Sequence, residues 1–137
     1  MAVEHAGVRT LLLADATVGG LLKSGSRERL YPVHAGQNPV VPFGVITRIG
    51  GLRRQRFDGP SAVSTITLQI DLFETTSAKL RVLADAVRVV LNGYVGTTGG
   101  VEIKLAELES ERDVWEESVE LHRCIQIYSV TFTEALS

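Results

Sequence analysis

The chain has 137 residues, 45% of them hydrophobic and 22% charged, with a formal net charge of −2. That composition is globular, long enough for one sizeable core and too apolar for wholesale disorder. The near-neutral charge gives no global case for nucleic acid or an anionic membrane, the single cysteine excludes an intrachain disulfide framework, and no run approaches the ~20 apolar residues of a membrane span.

The N-terminus, MAVEHAGVRT, lacks a basic segment followed by an apolar one, so no signal peptide is expected. The lone Cys124 fits a reducing compartment. Residues 2 to 23 read as two helical pieces. Val8, Leu11 and Leu12 form an apolar stripe that a straight continuation would interrupt with Asp15, so Asp15 is better placed as the N-cap of a second short helix through Ala16, Val18, Leu21 and Leu22. Gly19-Gly20 weaken that second piece. SGSRER at 24 to 29 reads as loop. Leu30-Tyr31-Pro32-Val33 suits a short edge strand, where proline is tolerated.

HAGQNPVVP is turn-rich. Phe43, Val45, Thr47 and Ile49 then alternate with Gly44, Ile46 and Arg48 as a strand, which Gly50-Gly51 is expected to break. LRRQRFDGP follows, as a loop or as a long hairpin arm. The strongest signal spans 61 to 92. Ile66, Leu68, Ile70 and Leu72 alternate with Thr65, Thr67, Gln69 and Asp71, which predicts a half-buried strand. After Glu74 the period changes, and Leu80, Leu83, Ala84, Val87 and Leu91 recur at helical spacing. A threonine or serine at 75 to 77 caps the helix, and Asn92-Gly93 ends it. Burying the stripe stabilises by roughly 1.5–3 kcal/mol for each large side chain, so this helix on this strand is the expected core.

GYVGTTGG reads as a flexible turn, and Val101, Ile103 and Leu105 as another strand. ELESERDVWEES reads as an irregular acidic segment before a long final strand. That strand changes phase: Leu121, Ile125 and Ile127 share one face, while Tyr128, Val130 and Phe132 share the other. A β-bulge near 127 to 129, or burial of both faces in an oligomer, would reconcile them. The whole predicts an α+β fold, one small domain over 1–137, with a mixed and mainly antiparallel sheet carrying two main helices on one face.

The chemistry-bearing residues form no familiar constellation. His5, His34 and His122 lack any metal-ligand spacing. Gly50-Gly51 and Gly99-Gly100 suit turns rather than phosphate cradles. Cys124, two residues from His122, lies in a predicted strand with no orienting group nearby, as a buried structural thiol would. No catalytic residue, cofactor or metal is expected. Two charged groups stand out. Arg48, Arg53, Arg54 and Arg56 gather with no acid among them; Glu107, Glu109, Glu111, Asp113, Glu116, Glu117 and Glu120 surround Trp115, offset by Arg112. Two solvated loops would explain both. Complementary patches meeting head to tail between copies would explain them equally, with Trp115 as anchor. The arginines could also touch DNA phosphates without reading sequence.

Several stretches carry a resemblance. LLLADATVGGLL with RLYPVHAGQ, PFGVITRIGG, FDGPSAVSTITLQIDLFETTSAKLRVLADAVRVVLNGY, and the ending ESERDVWEESVELHRCIQIYSVTFTE together are similar to the tail-terminator (tail-completion) proteins of long, non-contractile-tailed phages and phage-derived gene transfer agents. The resemblance implies a structural virion protein, not an enzyme. It would be made in the bacterial cytoplasm and would form a ring, usually a hexamer, on the head-proximal end of the tail tube. There it would stop tube polymerisation and meet the head-side connector or stopper protein. Its implied partners are itself, the tail tube protein, the connector and the tape-measure protein, with DNA passing through the channel unread. The candidate contact residues are Arg48, Arg53, Arg54, Arg56, Glu109, Glu111, Arg112, Asp113, Trp115, Glu116 and Glu117. Two other readings stay open: a head-side connector or stopper subunit, and a small-molecule-binding or enzymatic α+β domain, which would need a convergent polar pocket.

Overall fold

A computed structural model describes residues 3–24, 27–32, 40–55, 62–98 and 101–134. Two helices open the chain, α1 (Val3–Ala14) and α2 (Ala16–Leu22). The split falls at Asp15, whose carboxylate accepts from the amides of Thr17 and Val18, both at 3.0 Å. That satisfies two of the orphan donors of α2. Gly19 has a steric reason to be in this helix, because a Cβ there would lie 2.5 Å from the carbonyl oxygen of Leu13.

Two-residue strands β1 (Lys23–Ser24) and β2 (Arg27–Glu28) pair with each other, where the sequence suggested only loop. The main sheet has six strands: β3 (Leu30–Pro32), β4 (Phe43–Gln55), β5 (Ala62–Glu74), β6 (Tyr94–Thr98), β7 (Val101–Glu116) and β8 (Leu121–Glu134). Their spatial order is β3-β4-β5-β8-β7-β6. Among the described strands of this sheet, only the β3–β4 pair is parallel. The expected edge strand at Leu30 is present, and Pro32 sits in it opposite Ile46. Helix α3 (Ser77–Leu91) follows β5.

The α+β class and the mixed sheet hold, and the short α2 joins the two main helices in a single core. Val8, Leu12, Val18 and Leu22 join the α3 stripe Leu80, Leu83, Ala84, Val87 and Leu91 in one buried cluster. The sheet supplies Ile46, Ile66, Leu68, Ile70, Leu72, Tyr128, Val130 and Phe132 to the same cluster. Thr76 caps α3 by accepting from the Lys79 amide at 3.2 Å. Gly93 takes the left-handed conformation (φ 83°) just past its end, which glycine adopts without a Cβ clash.

Three further expectations are corrected. Gly50-Gly51 do not break β4: a register shift between Arg48 and Gly50 absorbs one extra residue, and pairing with β5 resumes to Gln55. Residues 94 to 98 are a strand, β6, rather than a flexible turn. The irregularity expected in β8 lies in its neighbour. β8 pairs with β5 without interruption from His122 to Glu134, while the β7–β8 ladder shifts between Ile103 and Leu105 and again between Leu108 and Ser110. β8 therefore keeps one phase. Cys124, Gln126, Tyr128, Val130 and Phe132 face the helices, and the half-buried Ile125 and Ile127 lie on the side that no described helix covers.

Candidate subunit interface

The two charged groups occupy opposite sides of the sheet. β4 carries Arg48, Arg53 and Arg54 in an extended arm, with Arg53 opposite Ser64 and Arg54 opposite Val63 on β5. Arg48 is exposed; Arg56 lies outside the described residues. On the far side, β7 continues as a strand through Glu116, so most of the acidic run is not the irregular loop that its composition suggested. Only Glu117 to Glu120 form a turn, and Glu120 takes a positive φ of 52° there.

The ladder explains why acids can occupy a strand. Each bulge in β7 shifts its phase by one residue, so alternation cannot be followed by eye across Lys104 or Glu109. Beyond Glu109 the helix-facing positions are Glu111 and Asp113, opposite Gln126 and Cys124. Arg81 of α3 meets both: its guanidinium lies 3.0 Å from Glu111 and 3.1 Å from Asp113. Burial pulls Arg81 down, but Glu111 and Asp113 outweigh it and hold the group above its ordinary value. Gln126, fully buried, donates to the Ala84 carbonyl at 3.0 Å and to Glu111, and accepts from the Tyr128 hydroxyl at 2.9 Å. A polar seam thus joins α3 to β7 and β8 at the end of the core where apolar residues run out.

Cys124 is in that seam, 3.8 Å from Glu111. Burial, then the nearby Asp113 and Glu111, pushes its thiol far above the ordinary value of 9.0. A thiol held neutral is a poor nucleophile, and the neighbouring His122 is engaged elsewhere, edge-on to Trp115 at 5.0 Å between ring centroids.

On the other face, Arg123 organises a second ion-pair group, with Glu116 at 2.7 Å and Asp71 at 3.2 Å. It also lies 5.6 Å over the Phe73 ring, close enough for a cation–π contact. Burial lowers its pKa, and Glu116 and Asp71 raise it above the ordinary value. Of the sequence candidates, then, Glu111, Asp113 and Glu116 hold strands and helix together within the chain. Glu109 and Arg112 project as exposed side chains. Trp115 is half exposed, with its indole N–H donating to Glu117 at 2.7 Å. Composition alone missed Arg81, Gln126 and Arg123. The signal available for Gln126 was a polar residue in phase with Cys124, Tyr128 and Val130.

Among the described residues no group of three or more His, Cys, Asp or Glu could hold a metal ion, and no helix is long and apolar enough to cross a membrane. Arg81, Arg123, Glu111, Asp113, Glu116 and Asp71 are spent on strand-to-helix and strand-to-strand ties. A family model described as tail completion protein gp17 matches residues 6–133, and the chain belongs to that family. Its role is accordingly a structural one, in the tail of a virion. No curated protein sequence matches it. Among the solved structures, a chain from the virion of a native gene transfer agent particle shares the fold at a TM-score of 0.70 and 16% identity, over 97% of this chain and 98% of that one.

Proposed function

We propose that the chain is a non-enzymatic subunit of a closed ring at the head-proximal end of the tail tube, ending tube growth and joining the tail to the head-side connector. The observation that carries this is the separation of charge across one sheet, with arginines on β4 and acids on β7 at opposite sides. Opposite surfaces on one subunit favour a heterologous, head-to-tail contact, and such contacts close into rings when the rotation between neighbours closes. One ring face would then match the tube and the other would not, so no further tube ring could add. The partners are the chain itself, the tail tube protein, the head-tail connector and, within the tube, the tape-measure protein, with DNA passing unread through the channel.

Cryo-electron microscopy of intact particles and of isolated tails tests this. A ring of copies capping the head-proximal end of the tube, hexameric by expectation, supports it. Copies found only on the portal side would make the chain a connector subunit instead, and absence from particles would overturn the structural reading.

A further inference from the structure

Both sides of the sheet end in half-covered strands. On one side, β3 pairs with β4 only at Gly44, Val45 and Ile46. From Ile49 to Gln55, β4 has no strand on its outer side among the described residues. On the other side, β6 pairs with β7 only between Val101 and Ala106, and the Leu108 amide is taken by the Asn92 side chain at 2.9 Å. From Glu109 to Glu116, β7 likewise has no outer strand among the described residues. A free strand edge presents a row of backbone donors and acceptors that another chain can complete, and proteins blunt it with charge, bulges, proline or a cover. Neither free length contains a proline; each starts at a bulge and is guarded by charge, which repels a like edge and admits an opposite one.

The two lengths match each other. β4 from 49 to 55 carries Arg53 and Arg54 and no acid; β7 from 109 to 116 carries Glu109, Glu111, Asp113 and Glu116 against Arg112 alone. Their directions match too. β5 runs antiparallel to β4, β8 to β5 and β7 to β8, so β7 runs opposite to β4. A second copy set beside the first in the same orientation therefore brings its β4 antiparallel to the first copy's β7. Register adds one condition. Ile46 on β4, Ile70 on β5, Gln126 on β8 and Glu111 on β7 share a level, so the free part of β4 and the free part of β7 lie toward opposite ends of the sheet. Pairing them offsets each copy along the strands relative to its neighbour. Strands tilted against the rotation axis, as in any closed barrel, provide that offset.

We infer that neighbouring copies join by antiparallel strand pairing, with the acidic Glu109–Glu116 edge of β7 laid against the basic Ile49–Gln55 edge of β4 on the next copy, so that one sheet runs from subunit to subunit. This rests on the ring reading and specifies its contact: backbone hydrogen bonds supply the adhesion, and charge selects the edge. It differs from two charged surfaces that merely face each other, because the amides of both segments become ladder donors.

Hydrogen exchange measured by mass spectrometry on the free chain and on the assembled oligomer, whether closed in solution or on tail tubes, reads this directly. Amides in 109–116 and in 49–55 slow together on assembly, by about tenfold or more for backbone bonds taken out of local opening. Charge reversal gives the second reading. Glu109→Lys, and separately Arg53→Glu with Arg54→Glu, each weaken assembly while leaving the free chain's melting temperature in place. The chain carrying all three reversals assembles again, since the exposed charged side chains of the β7 edge that neither Arg81 nor Arg123 engages, at 109 and 112, are then both basic against an acidic β4 edge. An oligomer in which neither segment gains protection, or in which the combined variant fails where the single-edge variants also fail, overturns the strand pairing and leaves the ring. Absence of any oligomer, free or on tails, overturns the ring and the pairing together.

Discussion

The β5–α3 contact and the free half of β7 are built from the same backbone geometry and held by different physics. Where α3 lies on β5, the facing positions are apolar and buried, from Leu68, Ile70 and Leu72 to Leu80, Leu83, Ala84, Val87 and Leu91. Adhesion there is non-directional and scales with area removed from water. Along β7 beyond Glu109, adhesion comes from placed charges: Arg81 between Glu111 and Asp113 on one face, and Arg123 between Glu116 and Asp71 on the other. The first region fixes the fold of one copy. The second region spends part of its charge on the same task and, among the described residues, still leaves a strand edge without an outer partner.

The comparison predicts a gradient of sensitivity from core to edge. Val87→Asp has the largest effect: it places a charge with no partner in a fully buried position, and the variant shows no cooperative unfolding transition by circular dichroism. A folded Val87→Asp chain would refute the assignment of the α3 face. Gln126→Ala comes next. It strips a hydrogen-bond partner from the Tyr128 hydroxyl and from the Ala84 carbonyl, and chemical denaturation should register a loss of about 2 kcal/mol.

The seam also sets a pH response. Cys124 and Tyr128 have folded-state pKa values raised above their ordinary 9.0 and 10.0, mainly by burial. Above pH 9 the unfolded chain releases these protons and the folded chain does not, so stability falls as pH rises from there. Melting temperatures from pH 8 to 11 should decline, and the Tyr128→Phe variant should decline less steeply. Trp115→Ala is the smallest: half exposed on the edge strand, it should change the free chain's stability by no more than about 0.5 kcal/mol. A loss of several times that would move Trp115 from the rim into the core.

What the sequence disclosed follows the same division. The α3 stripe, its Thr76 cap, the Asp15 break and the β5 alternation are each written in a period that only one element satisfies, and all four stand in the structure. The acidic run could not be assigned because two bulges remove the alternation that marks a strand, and because an edge strand accepts charge on both faces. The same applies to Gly50-Gly51, which mark a turn in most contexts but here follow a register shift inside β4. The charged candidates were visible as residue types. Which of them were already engaged within the chain was not, since Arg81 lies far from Asp113 in sequence and reaches it only once α3 packs on the sheet.

The partial covers, β3 and β6, have a consequence for the chain before it assembles. Each hides one end of its edge and leaves the other end with a strong excess of one sign of charge. Two copies meeting by a twofold axis would lay β7 on β7 or β4 on β4, acid on acid or arginine on arginine, and like charges facing each other across strands repel. The dead-end dimer that an exposed strand edge ordinarily invites is disfavoured by the same residues that favour the next copy in line.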